Sequence, residues 1–247
     1  MVLRTAVVLA CCWIASQAHA DMLGARLGLD YWQARPSVTA GDTGLAGQFS
    51  SADANELAWT ARFEHPLPLL PNVAARYQQS ALSGLGPLLS GITLDQKAFA
   101  SGVVATQTHA LKNVDVTAYY EILDNPLFSL DFGFTARLLR ADLGLSAGVM
   151  SASRELTVTL PMLFVDAEMA IWGTDTHLFM QGNYSRYQSD RNYDWRGGIA
   201  WRVIDVALLQ TYLRAGWQHS VVNINDRDHL DLHTDNDGGF VGIAIDF

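Results

Sequence analysis

Near its end the chain carries His229, Asp231, His233, Asp235 and Asp237 at every second position, with Asp226 and Asp228 just before them. On an extended strand such residues share one face. Imidazole and carboxylate both ligate divalent cations, so His229, Asp231, His233 and Asp235 form a candidate metal-binding row. Asp235-Asn236-Asp237-Gly238 echoes the start of a calcium loop, but the remaining spacing and the closing glutamate are missing. The plainer expectation is a solvated loop running into a strand, with no metal and no cofactor. A second constellation is spread along the chain: Arg26, Arg62, Glu64, Glu121, Asp131, Asp166, Glu168, Arg202, Arg214 and Asp246. Gathered on one wall, these charges would either tune which solutes pass a constriction or neutralise one another as a plug. Catalysis has a weaker basis. His219 and Ser220 are adjacent and would point to opposite faces of a strand. His177, His219, His229 and His233 would have to meet acids at a rim to form a hydrolytic dyad, which only geometry establishes.

The elements that must position these groups are strands. Val241, Ile243, Ile245 and Phe247 alternate with Phe240, Gly242, Ala244 and Asp246, and the chain stops on the aromatic ring. A period of two gives one apolar face. An exposed, alternating final strand is a sticky edge in a soluble protein, whereas a closed membrane barrel has no edge. Ten such strands are expected, at Met22–Ala34, Asn55–His65, Asn72–Leu82, Lys112–Leu123, Phe128–Arg140, Glu155–Ile171, Thr174–Tyr187, Asn192–Val203, Leu208–Val222 and from Asn236 onward. Eight or twelve would also fit the pattern. In the sixth, the apolar parity switches from Leu156, Val158 and Leu160 to Leu163, Val165, Ala167 and Met169, which suggests a bulge at Pro161. The links 66–71, 124–127, 172–173 and 204–207 are short. The links 35–54, 83–111, 141–154 and 223–235 are long, with 188–191 the exception. Outer-membrane barrels have an even strand number, short periplasmic turns and longer extracellular loops. The expected fold class is therefore all-β, an antiparallel up-and-down transmembrane β-barrel.

Composition agrees. Apolar residues make up 49% of the chain, yet no run of 18 of them follows Asp21, so no membrane-spanning helix is expected. The formal net charge of −9 argues against nucleic acid as a partner. Lysine occurs only at Lys97 and Lys112, and the abundant arginines suit fixed ion pairs in a lumen. Met1 to Arg4, the apolar Thr5 to Ser16, and Ala18-His19-Ala20 read as a signal peptide over residues 1–20, leaving 21–247 as the barrel domain. Both cysteines, Cys11 and Cys12, fall in the leader, so cysteine chemistry is not expected in the mature chain. Trp59, Trp195, Trp201, Trp217, Tyr77, Tyr120 and Phe247 would form aromatic girdles.

Several stretches resemble one family. They are Phe63-Glu64-His65-Pro66-Leu67-Pro68-Leu69-Leu70-Pro71-Asn72, Thr117 to Asn125 running into Leu130-Asp131-Phe132-Gly133, Leu160-Pro161-Met162-Leu163-Phe164, and the Gly238-Gly239-Phe240-Val241-Gly242 ending. Together they resemble a family of small Gram-negative outer-membrane β-barrel proteins of about this length. The resemblance spans the mature chain and departs most in 35–54 and 83–111. It implies fold and location, and no particular activity. The expectation is thus a monomeric, non-enzymatic barrel in the Gram-negative outer membrane, with a charged and largely filled lumen, serving envelope structure or surface interaction. Barrels near eight strands are filled by side chains. A narrow diffusion channel and a rim-located hydrolase are the alternatives. Expected partners are membrane lipid and lipopolysaccharide, together with periplasmic chaperones and the assembly machinery, for which Val241, Ile243, Ile245 and Phe247 would be the signal.

Overall fold

The computed structural model describes residues 23–49, 54–67, 69–206 and 209–247. The leader assigned to residues 1–20 lies outside them. The described strands are β1 (Gly24–Asp42), β2 (Gly47–Phe49), β3 (Ala54–Glu64), β4 (Asn72–Pro87), β5 (Ile92–Leu94), β6 (Lys97–Phe99), β7 (Val104–Asn125), β8 (Phe128–Ala147), β9 (Met150–Ala170), β10 (Thr176–Tyr187), β11 (Asp190–Val206), β12 (Leu209–Arg227) and β13 (Leu230–Asp246). Ten of them form one antiparallel barrel in the order β1-β3-β4-β7-β8-β9-β10-β11-β12-β13, and β13 returns to pair with β1. Closure is tied at the last residue. Phe247 N–H donates to Ala25 O at 2.8 Å, and Ala25 N–H donates back to Phe247 O at 3.3 Å. We call the end that holds Gly24 and Phe247 proximal and the opposite end distal.

The polarity of the barrel inverts halfway along. In the proximal half the apolar side chains point outward. Leu27 and Tyr31, Trp59 and Phe63, Val114 and Val116, Phe132 and Phe134, Leu163 and Val165, and Val241 and Ile243 make an exposed belt. Their sequence neighbours Asp30, Arg62, Asp115, Asp131 and Asp166 point in. In the distal half the rule reverses. Leu139, Ala141, Leu143 and Leu145 are buried inside, while Arg140, Asp142 and Ser146 face out. The same exchange places Val38 and Ala40, Leu156 and Leu160, Val222 and Ile224, and Leu230 and Leu232 in one apolar core. A wall bathed in lipid must be apolar on the outside, and a wall bathed in water must be apolar on the inside. One continuous ladder satisfies both by keeping its backbone phase and changing which face is greasy.

This corrects two expectations. No bulge occurs at Pro161. The β8–β9 ladder runs unbroken from Phe128 opposite Met169 to Ala147 opposite Met150, with Ala136 opposite Pro161. Even-numbered residues of β9 point inward throughout, so the parity switch marks the inversion of polarity and no backbone irregularity. The register shifts lie instead between Glu121 and Leu123, Arg202 and Ile204, and Ile224 and Arg227. The supposed long loops are mostly strand. β1 continues to Asp42, β4 to Pro87, β8 to Ala147 and β12 to Arg227. The 17 residues of β13, at about 3.4 Å each and about 40° of tilt, span roughly 44 Å, against about 25 Å for an apolar membrane band. The distal half therefore stands clear of any such band.

The distal wall is also not continuous. β3 pairs with β4 only up to Gln79, and β10 pairs with β9 only up to Leu163. Above those points β4, β7, β8 and β9 form one sheet, and β2, β1, β13 and β12 form another. The two face each other across the apolar core like the layers of a sandwich. The β4–β7 connection folds into the β5–β6 hairpin, whose Ile92, Leu94 and Phe99, with Leu88, are buried in that core. Asp95 and Gln96 N–H both donate to the Asp42 carboxylate, which ties the hairpin tip to the end of β1.

Candidate functional site

The proximal half of the interior is packed with ion pairs. Arginine is fitted to this because its fork binds a carboxylate at two points. At the proximal end Arg26 donates from Nε and Nη2 to Asp246 at 2.7 and 2.8 Å, which bolts β1 to β13 beside the closure. Its Nη1 reaches Glu168 on β9 at 3.2 Å, and Glu168 also pairs with His177 Nδ1 at 2.9 Å. One step deeper, Arg62 pairs closely with Asp166 and lies 3.7 Å from Asp131. Tyr119, fully buried, donates its hydroxyl to Glu64 at 2.8 Å. Arg214 stacks over Phe179, 4.5 Å from the ring centroid, with Asp30 at 3.9 Å.

Eight of the ten charges expected in the lumen cluster, Arg26, Arg62, Glu64, Asp131, Asp166, Glu168, Arg214 and Asp246, are thus brought together across the barrel. Two are not. Arg202 is held at the proximal rim by Asp175 and Asp205, at 2.6 and 3.2 Å, in its own neighbourhood of the sheet. Glu121 is exposed at the mouth, where it accepts from Asn72 Nδ2 at 2.7 Å. It stands opposite Asp131, just before the bulge, and lines the proximal vestibule with Glu64 and Asp131.

The deepest pairs lie beyond the expected set. Arg137 forks onto Asp115 with two bonds of 2.7 Å and also reaches Asp194 at 2.6 Å. Arg196 bridges Asp30 and Gln181, both at 2.7 Å, and Gln181 continues to Asp166 at 3.2 Å. Arg76 donates to Gln78 and Gln218, and Gln78 donates to Glu56. All of these stand at inward positions of the two-residue period, and that parity was the available signal. Pairing cation with anion offsets the cost of removing both from water.

Space inside is correspondingly small. A vestibule of about 260 Å³ opens at the proximal end beside Glu64, Glu121 and Asp131. Beyond it a pocket of about 40 Å³ remains among Arg26, Arg62, Arg196 and Arg214. The smaller volume has room for no more than a few waters. Above these layers the interior becomes the apolar core.

The His/Asp row near the C-terminus is not assembled as a metal site. His229 lies in the β12–β13 turn at positive φ, exposed, with Asp226 at 3.9 Å. Asp231 accepts from Gly44 N–H and Asp226 N–H, both at 2.9 Å. Asp235 is engaged by His219 Nε2 at 2.8 Å. His233 is exposed on the outer face opposite Thr39 and Asn223. The strand alternation holds for Asp231, His233 and Asp235, but the turn removes His229 and neighbouring groups occupy the carboxylates. Among the described residues no three His, Cys, Asp or Glu side chains are grouped to hold a metal ion. The histidines named for a rim dyad lie apart from one another, but two of them meet an acid: His177 pairs with Glu168 at 2.9 Å and His219 with Asp235 at 2.8 Å. His177 sits at the proximal end, and His219 lies outside against Tyr193 and Trp195. Gly144-Leu145-Ser146-Ala147-Gly148 spells the nucleophile-elbow pattern G-x-S-x-G, but it forms the tip of the β8–β9 hairpin, with Ser146 opposite Ser151, and not a strand-to-helix turn.

Val241, Ile243, Ile245 and Phe247 share the outer face of β13, next to the closure with β1. The aromatic residues expected in girdles also lie outside. Trp201 and Tyr120 stand towards the proximal end, and Trp217 and Trp195 further along.

No protein-family model matches the chain, and no curated protein matches it in sequence. Solved structures do match. The outer membrane protease OmpT of Escherichia coli aligns at 10% identity over 93% of this chain and 98% of that one, with a TM-score of 0.53. The attachment invasion locus protein Ail of Yersinia pestis aligns at 11% identity over 92% and 100%, with a TM-score of 0.38. Neisserial surface protein A aligns at 11% over 91% and 97%, with a TM-score of 0.37. At these identities the likeness is one of fold: the architecture is that of the outer-membrane β-barrels.

Proposed function

We propose that this chain is a monomeric, exported protein of the Gram-negative outer membrane, of the small-barrel family that its motifs resemble, and that its barrel is closed to solutes. It acts in envelope structure or at the cell surface, and neither as a channel nor as an enzyme. The observation that carries this is the apolar distal core. A diffusion pore needs a polar path from end to end, and here the charged proximal half leads into packed Leu139, Leu143, Leu156 and Leu232 under the β5–β6 hairpin. The outward belt meets lipid, and the polar distal wall meets lipopolysaccharide and the outside medium. The termini then face the periplasm, and Phe247 is the residue read by the assembly machinery after delivery by chaperones.

Planar-bilayer recording of the purified, folded protein tests the closed barrel. No stable conductance steps are expected. Steps of reproducible, salt-proportional size would overturn it and favour a narrow channel, whose ion selectivity should then respond to Arg26→Ala.

A further inference from the structure

The open seam of the distal half leaves a long strand edge without a partner. From Met150 to Met162, β9 is paired on one side with β8, and β10 joins its other side only at Leu163. Among the described residues no strand hydrogen-bonds to that second side. The edge across the seam is treated differently. On β12, Asn223 N–H donates to the Asn192 side chain at 3.1 Å and Asn225 N–H to Asp190 at 2.9 Å, so side chains from the start of β11 cap it.

Two observations identify which groups β9 presents. Pro161 has no N–H, yet it stands opposite Ala136 in an unbroken ladder, so the vacant donor position points away from β8. At the other end, Ser151 O accepts from Lys97 Nζ at 2.7 Å, a donor outside the β8 ladder. Both residues are odd-numbered. With a period of two, Ser153, Glu155, Thr157 and Thr159 turn both their N–H and C=O towards the seam. Proline is a common device for blunting exposed edges, and it is absent between Ser151 and Leu160.

We propose that the β9 edge from Ser153 to Thr159 takes up an extended segment of a partner protein by strand addition. This rests on the membrane placement of the belt and not on the closed lumen. The backbone supplies affinity and alternate side chains supply selectivity. Continuing the sheet sets the partner's pattern. Residues beside Leu156 and Leu160 face the apolar core and should be apolar, while those beside Ser153, Thr157 and Thr159 face water and should be polar or β-branched. A second copy in the same membrane does not fit. Two copies related by an axis along the membrane normal run their β9 strands in the same sense, with opposite slants, and an antiparallel ladder cannot form between them.

The test uses the full protein in detergent micelles and a nine-residue peptide alternating valine and threonine with a lysine at each end. Saturable binding is expected, together with slowed amide hydrogen exchange at Ser153, Glu155, Thr157 and Thr159. Thr157→Pro removes one edge donor as Pro161 does, and should weaken binding at least tenfold while the folded, heat-modifiable gel mobility is kept. If that variant does not fold, Thr157→Lys serves in its place with the same expectation. Three results would overturn the proposal: no saturable binding, equal binding by the folded variant, or edge amides already protected in the protein alone, as self-association would make them. Conductance is read separately, so a failed closed-barrel proposal remains distinguishable from a failed edge.

Discussion

Leu139→Ala measures whether the distal interior is a dry core. Leu139 is 0% exposed inside the barrel, while Leu138 beside it is 45% exposed on the outer face. The substitution deletes three carbons. At about 0.8 kcal/mol each, their loss costs about 2.4 kcal/mol, and the cavity left behind raises this to about 3–4 kcal/mol. Arg140→Ala is the matched control. Arg140 faces outward, half exposed, and pairs with Glu155 at 2.9 Å, so its loss should cost under about 1 kcal/mol. The assay is equilibrium urea unfolding of protein folded into phospholipid vesicles, followed by tryptophan fluorescence, with the two midpoints compared at equal slope. A Leu139→Ala cost below about 1 kcal/mol, equal to the control, would mean that water already surrounds this side chain and that the core is no seal.

Other outcomes follow from single residues. Arg137→Met strands the carboxylates of Asp115 and Asp194 in the interior and should cost about 3–5 kcal/mol; adding Asp115→Asn and Asp194→Asn should restore most of it. A single variant as stable as the parent would show that the fork does not neutralise them. His109 lies inside the distal half, above the belt, with neither ring nitrogen hydrogen-bonded, and burial there lowers its pKa to about 4. The folded state then binds fewer protons than the unfolded one, so stability is complete above the unfolded value of about 6.5 and falls as pH drops through about 4, by up to roughly 3 kcal/mol. His109→Leu should flatten the urea midpoint between pH 7.5 and 4.5, and an unchanged slope would assign the acid sensitivity elsewhere. Deleting Phe247 removes both closure bonds to Ala25 and the exposed terminal ring, and should sharply lower the amount inserted in cell envelopes. Normal insertion of the shortened chain would refute its assembly role.

The strand count and the closure of the last strand on the first were legible, because lipid outside and charge inside impose a strict alternation that belongs to this fold. The distal half was not, because there the apolar residues of each strand face inward. Where Leu139 and Leu143 turn inward and Arg140 and Asp142 outward, the same alternation runs with its sign reversed, so the strand extensions read as polar loops. Pro161 was misleading for the same cause. Parity alone placed Arg26, Arg62, Asp131 and Asp166 in the lumen correctly. Which of them touch, and the central roles of Arg137 and Arg196, depend on stagger between strands distant in sequence, which no local pattern encodes. The His/Asp row failed at His229, where the turn ends the strand.

The seal itself is tested most directly by thiol accessibility. The chain's cysteines are Cys11 and Cys12, both within the leader expected from the sequence, so a chain cleaved after residue 20 would carry no thiol. Leu139→Cys and Leu156→Cys place a thiol in the core, and Arg140→Cys and Thr157→Cys place one on the outer wall of the same strands. With a membrane-impermeant maleimide added to intact cells, the outer-wall variants should label fully and the core variants should label at least a hundredfold more slowly. Core thiols that react as fast as the wall thiols would show a water-filled passage and contradict the closed barrel.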